Sequence, residues 1–116
     1  MSGDCIFCRI AAGEIPAKEV ARTDFAVAFH DLNPQAPTHV LVVPRQHLAN
    51  AAASDSDEGE RVVGRTLRLA VQVAARLGLA EKGYRLVMNV GPDGGQSVAH
   101  LHVHLLGGRR MTWPPG

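Results

Sequence analysis

The most constraining stretch of the chain is His100-Leu101-His102-Val103-His104-Leu105-Leu106, where histidine alternates with an aliphatic residue. In an extended strand, alternate side chains point to opposite faces. His100, His102 and His104 then line one face, and Leu101, Val103 and Leu105 the other. Helical geometry would fan the same imidazoles around the axis. One histidine on a strand is ordinarily a surface residue or a satisfied core residue. Three in register each demand a partner once buried. Imidazole titrates near neutrality, attacks electrophiles, shuttles protons and binds metals. The row therefore predicts phosphoryl or acyl chemistry, a metal site, or both.

The rest of the chain supplies a frame for this strand. Residues 4–13 read as a short helix with Ile6, Phe7 and Ile10 at one-turn spacing, Asp4 as N-cap and Gly13 as stop. Val20–Arg22 is a short strand and residues 25–30 a better one, with Phe25, Val27, Phe29 and Asp31 on one parity. Asn33-Pro34-Gln35-Ala36-Pro37 is a turn. Thr38–Val43 is a β-branched strand in which His39, Leu41 and Val43 share a face. A long helix runs from Ser54 or Ser56 to Leu77, burying Val62, Val63, Thr66, Leu69, Ala70, Val73, Ala74 and Leu77, with Gly78 as its cap. Gly64 weakens that helix for no evident purpose. Tyr84–Asn89 and His100–Leu106 are the last strands, joined by a glycine-rich loop. One long helix, one short N-terminal helix and an antiparallel meander of about five strands make an α+β fold. A chain of 116 residues suits a single domain.

Charge narrows the classes of partner. A formal net charge of +1 offers no field for nucleic acid or an anionic membrane. No stretch approaches the roughly 18 apolar residues of a membrane span. The N-terminus lacks the basic and apolar regions of a signal peptide. The expected setting is the reducing cytoplasm, where the two cysteines serve as thiols or metal ligands more readily than as a disulfide.

Three constellations carry chemistry. Gly94-Gly95-Gln96-Ser97 precedes the histidine row, offering backbone donors and a hydroxyl near His102; a lone loop of this kind would otherwise be a hairpin turn. Cys5 and Cys8 share one helical turn and form half of a tetrahedral zinc site, with His47 and His100 as the available completing ligands. Small core residues or a redox pair remain open readings, although the βαβ context of a redox C-x-x-C is missing. Ile6, Phe7, Ile10, Phe29 and Leu41 form an apolar patch with a single acid, Asp31. Such a patch is ordinarily core. A carboxylate at its edge is a bidentate acceptor for vicinal sugar hydroxyls, and with an anion loop beside a nucleophile it describes a nucleotide pocket.

The row has the form of the histidine-triad signature, H-φ-H-φ-H-φ-φ. Ile15-Pro16-Ala17-Lys18, Pro34-Gln35-Ala36-Pro37-Thr38-His39, Gly95-Gln96-Ser97-Val98 and Leu106-Gly107-Gly108-Arg109 with Trp113-Pro114-Pro115-Gly116 also match. Over essentially its whole length the chain resembles the HINT branch of that superfamily, the nucleotide-binding phosphoramidases. The resemblance implies a homodimer that hydrolyses purine nucleoside phosphoramidates to AMP without magnesium. By position, it makes His102 the nucleophile, with His104, His39 and Ser97 as catalytic companions. Asn89, Ser97 and the Gly95, Gln96 and Val98 backbone would hold phosphate, and Asp31 the ribose. Ile6, Phe7, Ile10, Phe29 and Leu41 would sandwich the base. Residues 107–116 would reach the partner's site through Trp113. Zinc-binding members of bacterial type carry such a cysteine pair, which implies a structural zinc on Cys5, Cys8, His47 and His100. Ala99 and Thr112 depart from the family's usual residues and bear on leaving-group preference. Alternatives to this function are a dinucleoside polyphosphate hydrolase or nucleotidyl transferase, and a nucleotide-sensing scaffold whose hydrolysis is incidental.

Overall fold

The computed structural model describes residues 4–116. In chain order the elements are α1 (Ile6–Ala11), β1 (Glu19–Arg22), β2 (Ala26–His30), β3 (Thr38–Pro44), a 3-10 turn at Ala51–Ser54, α2 (Asp57–Arg76), β4 (Arg85–Val87) and β5 (Val103–Gly107). All strand pairs are antiparallel, in the order β1-β2-β3-β5-β4. The first three strands form a meander. The long helix then carries the chain to the far edge, and β5 returns between β3 and β4.

Local chemistry sets these boundaries. Thr23 closes the first hairpin, its Oγ1 accepting from the N–H groups of Phe25 and Ala26 at 3.1 and 3.0 Å. Ser56 caps α2 by accepting from Gly59 N at 2.9 Å, and Asp57, Glu58 and Glu60 complement the positive end of its dipole. The helix ends at Arg76, so Leu77 caps it and is 37% exposed rather than completing the buried stripe. Val63 is only half-buried. Thr66, wholly buried, satisfies its hydroxyl by donating to Val62 O at 2.8 Å.

The sheet separates two apolar layers. Leu69, Ala70, Val73 and Ala74 of α2 pack on Ala26, Ala28, Val40, Val42, Val103 and Leu105. On the opposite face Phe7 and Ala11 of α1 cover Val27, Phe29, Leu41 and Val43. Pairing of Phe29 with Leu41 and of Leu41 with His104 places the second layer and the histidines on one face. Burying Phe7 there contributes about 1.5–3 kcal/mol, enough to dock a helix of six residues.

Three boundaries differ from expectation. The N-cap of α1 is Cys5, not Asp4; its Sγ accepts from Cys8 N at 3.4 Å. The edge strand β4 covers only Arg85–Val87 of the expected 84–89. The last strand begins at Val103, so His100, Leu101 and His102 precede the ladder. Continued register would set Leu101 opposite Pro44, but the Pro44 carbonyl is taken by His100 Nε2 at 2.9 Å. Leu101 N donates instead to Leu48 O at 2.6 Å. The ring of His100 bonds to Pro44 O and the cysteines, away from the cavity that His102 and His104 line.

Candidate functional site

Below α1, on the face carrying His102, lies a cavity of about 310 Å³. Ile6, Phe7, Ile10, Phe29 and Leu41 line it, together with Asp31, Ser97, Val98, His102 and His104. The apolar patch and the acid picked out in the sequence thus meet in one space. Phe7 stands edge-on to Phe29, with ring centroids 5.7 Å apart, and to His102, at 5.1 Å. Ile15, Pro16, Ala17, Lys18, His30 and Leu32 complete the wall. The sequence assigns none of these six to the pocket, because no periodicity marks a loop as lining.

The hydrogen bonds fix the state of each ring. His102 is 5% exposed, and its Nδ1 lies 2.7 Å from His100 O. A carbonyl only accepts, so Nδ1 carries the proton and Nε2 keeps its lone pair. His39 Nδ1 accepts from Gln35 N at 3.0 Å, and its Nε2 lies 2.9 Å from His104 Nδ1 and 3.5 Å from Asp31 Oδ2. Burial holds His39 below the ordinary histidine range and lowers His104 to about 4, with the charges of His102 and His39 adding to the shift in His104. Asp31 keeps one carboxylate oxygen on Asn33 N, at 2.8 Å. Asp31, His39 and His104 could be taken for a cation site. The proton on His39 Nε2 that follows from the Gln35 bond denies a cation that ligand.

The loop before the row is tied down by Gln96. Its Nε2 donates to Ala49 O and Val98 O at 2.7 and 2.9 Å, and its Oε1 accepts from Gly91 N at 3.0 Å. The side chain is thus consumed in bracing, and what Gln96 can offer a ligand is its backbone. At Gly94 a Cβ would collide with Val90 O, and Gly95 has φ +79°, so neither position admits another residue without strain. Ser97 is exposed at the cavity wall. Asn89 does not line the cavity; it lies two residues past Val87, the partner of His104. Trp113 is 80% exposed, 6.0 Å from the Arg85 guanidinium.

Beside the cavity, Cys5, Cys8, His47 and His100 bring four donors within 4.8 Å of one another. Cys5 Sγ and Cys8 Sγ lie 3.2 and 3.4 Å from His100 Nδ1, and Cys8 Sγ lies 3.3 Å from His47 Nδ1. The two Nδ1 atoms are 3.1 Å apart. Tetrahedral bonds to zinc would set such donors roughly 3.3–3.6 Å apart. His100, fully buried, donates from Nε2 to Pro44 O at 2.9 Å, leaving Nδ1 bare toward the cysteines. Burial also lowers its pKa to about 4, favouring the neutral, ligating form. Donor set, spacing and tautomer are all compatible with Zn2+.

The HIT domain model matches residues 12–111. The chain belongs to the HIT family. A solved HIT family hydrolase from Legionella pneumophila Philadelphia 1 is 50% identical, with TM-score 0.93 over 97% of this chain and 100% of that one. A 14 kDa zinc-binding protein of Zea mays is 47% identical over 112 residues, 96% of this chain and 87% of the relative. Adenylylsulfatase HINT1 of Arabidopsis thaliana is 46% identical over 112 residues, 96% of this chain and 76% of the relative. The HIT row of histidines is therefore divided in use. His102 and His104 face the cavity, while His100 joins the cysteines. No helix among the described residues of this HIT protein is long and apolar enough to cross a membrane.

Proposed function

We propose that the protein is a nucleoside phosphoramidase, cleaving the P–N bond of purine nucleoside phosphoramidates and releasing AMP. One observation carries the reading: His102 lines an apolar cavity with Nδ1 held by a backbone carbonyl and Nε2 bare. An imidazole so held is a competent nucleophile toward phosphorus at neutral pH. Kinship with a HIT family hydrolase supports hydrolysis.

Ile6, Phe7, Ile10, Phe29 and Leu41 sandwich the base, and Asp31 accepts from the ribose hydroxyls. Ser97 and the Gly95–Val98 backbone hold the phosphate, with Asn89 approaching it from beyond the cavity wall. Nε2 of His102 attacks the α-phosphorus, and the P–N bond breaks as the amine takes a proton from water and leaves. Water then attacks the nucleotidyl-histidine, AMP departs and the ring is restored. His104, backed by His39, donates to the equatorial oxygens where charge develops. No carboxylate cluster for magnesium is needed.

Cys5, Cys8, His47 and His100 hold a structural zinc, a reading supported by the zinc-binding relative. These residues would tie α1 to the segment ahead of β5 through the metal, whose part would be structural, with no reacting group supplied. We also read the whole chain as one domain of a cytoplasmic homodimer, with residues 107–116 reaching the partner. The exposed Trp113 supports this, and light scattering on the eluted peak tests it.

The adenylylsulfatase relative favours a second reading, with sulfate in place of the amine as leaving group. Purified protein incubated with AMP tryptamide, adenylyl sulfate or a diadenosine polyphosphate separates these. Fastest turnover of the phosphoramidate supports the proposal. Turnover of it by His102→Asn at the wild-type rate removes it.

A further inference from the structure

We propose that the main-chain N–H of Gln35 is a positioning group, locking His39 and, through it, His104 in tautomers that leave His104 with a proton on the cavity side. The inference rests on the phosphoryl-transfer reading and adds what sets the donor.

A peptide N–H only donates, and that of Gln35 lies 3.0 Å from His39 Nδ1. Nδ1 therefore carries the lone pair, and the single proton of the neutral ring sits on Nε2. The shorter contact of Nε2 is to His104 Nδ1, at 2.9 Å; Asp31 Oδ2 is at 3.5 Å, the limit of a useful bond. His104 Nδ1 must then accept, which leaves the proton of His104 on Nε2, the ring's other end. His104 lines the cavity, its ring centroid 5.0 Å from that of His102. A donor there meets an anionic phosphoryl oxygen favourably. The opposite tautomer would present a lone pair to the same oxygen and repel it.

The peptide that starts this chain is held from several sides. Pro34 and Pro37 restrict the turn, and the Gln35 side chain donates to Asn33 O at 2.9 Å. Arg109, in the C-terminal segment, donates from Nη2 to Gln35 O at 3.1 Å. The turn before β3 thus acts on the cavity through the backbone, and the identity of side chain 35 is secondary.

The test compares Gln35→Ala, which keeps the N–H, with Gln35→Pro, which removes it. Imidazole nitrogens are read by NMR on histidine-labelled protein. Wild type and Gln35→Ala should both show a bare Nδ1 and a protonated Nε2 on His39 and on His104. Gln35→Pro should show mixed tautomers at both rings. In that variant, single-turnover cleavage of AMP tryptamide should fall about tenfold, with AMP affinity held within about twofold. General structural damage would weaken AMP binding too. Should the proline variant not fold, the α-hydroxy analogue at position 35 replaces the N–H with oxygen and leaves φ free. Wild-type tautomers without the N–H, or altered tautomers in Gln35→Ala, overturn the proposal. If wild type fails to cleave the phosphoramidate, the functional reading falls, while the NMR comparison still decides the lock.

Discussion

The carbonyl of His100 holds the ring of His102, at 2.7 Å from Nδ1. The same residue turns its own imidazole to Cys5 and Cys8. One residue therefore joins the Cys/His cluster to the candidate nucleophile, and the main chain between them is buried. Whatever stiffens His100 restrains the tautomer and direction of His102.

Replacing His102 with alanine removes the lone pair aimed into the cavity. Turnover of AMP tryptamide should drop at least about a thousandfold, while AMP still binds through the base slot and Asp31. Rapid-quench assays beside calorimetric AMP titration check both halves.

Cys5→Ser separates two tasks of one side chain. Serine can still cap α1 from Cys8 N, but it is a poor zinc ligand. Zinc per chain should fall from near one to well below half, with a lower melting temperature. In cobalt-substituted protein the thiolate charge-transfer band should weaken. Full zinc content in this variant contradicts the ligand assignment.

Acid should destabilise the fold through its buried neutral histidines. His104 protonates at about 4 in the fold, because burial disfavours its charged form, against 6.5 ordinarily. Between those values the unfolded chain binds more protons, so stability rises with pH. The contribution is whole above about pH 6.5 and lost as pH falls toward 4; the buried His39 acts in the same direction. Urea midpoints across this range should climb with pH, and a flat profile refutes the account.

Phe7→Ala should cost about 3 kcal/mol, since Phe7 is 6% exposed and joins the layer under α1. It also removes a wall of the cavity, so AMP affinity should fall alongside. Denaturation and binding curves on the same preparation measure the pair.

Two glycines of α2 should respond oppositely to alanine. At Gly59 a Cβ would collide with the Ser54 carbonyl, where the 3-10 turn passes close, so overpacking should cost about 1–3 kcal/mol. At Gly64 nothing lies within 4 Å, and alanine should stabilise by up to about 1 kcal/mol. Reversal of the two signs in thermal melts counts against this packing.

Much of the fold was legible because periodicity reports burial. The stripe Val62, Thr66, Leu69, Ala70, Val73 and Ala74 has helical spacing and is buried. The parity that put Phe29 with Asp31, and His39 with Leu41, agrees with the sheet register. The resemblance, not the spacing, marked the base slot, since an apolar cavity wall and an apolar core have the same composition. Ile15–Lys18, His30 and Leu32 were illegible as cavity residues, because loop and strand-end side chains obey no period.

By itself the sequence determined the alternation of the histidine row, the caps of the long helix and the pairing of Cys5 with Cys8 on one turn. These depend on neighbours within a few residues, where backbone geometry alone sets direction. Tertiary structure decided that Pro44 O accepts from the His100 ring while Leu101 N goes to Leu48 O, parting His100 from His102. It also decided that Gln35 N–H reaches His39. Both outcomes turn on which donor finds which acceptor once water is excluded, and that competition is settled between segments far apart in the chain.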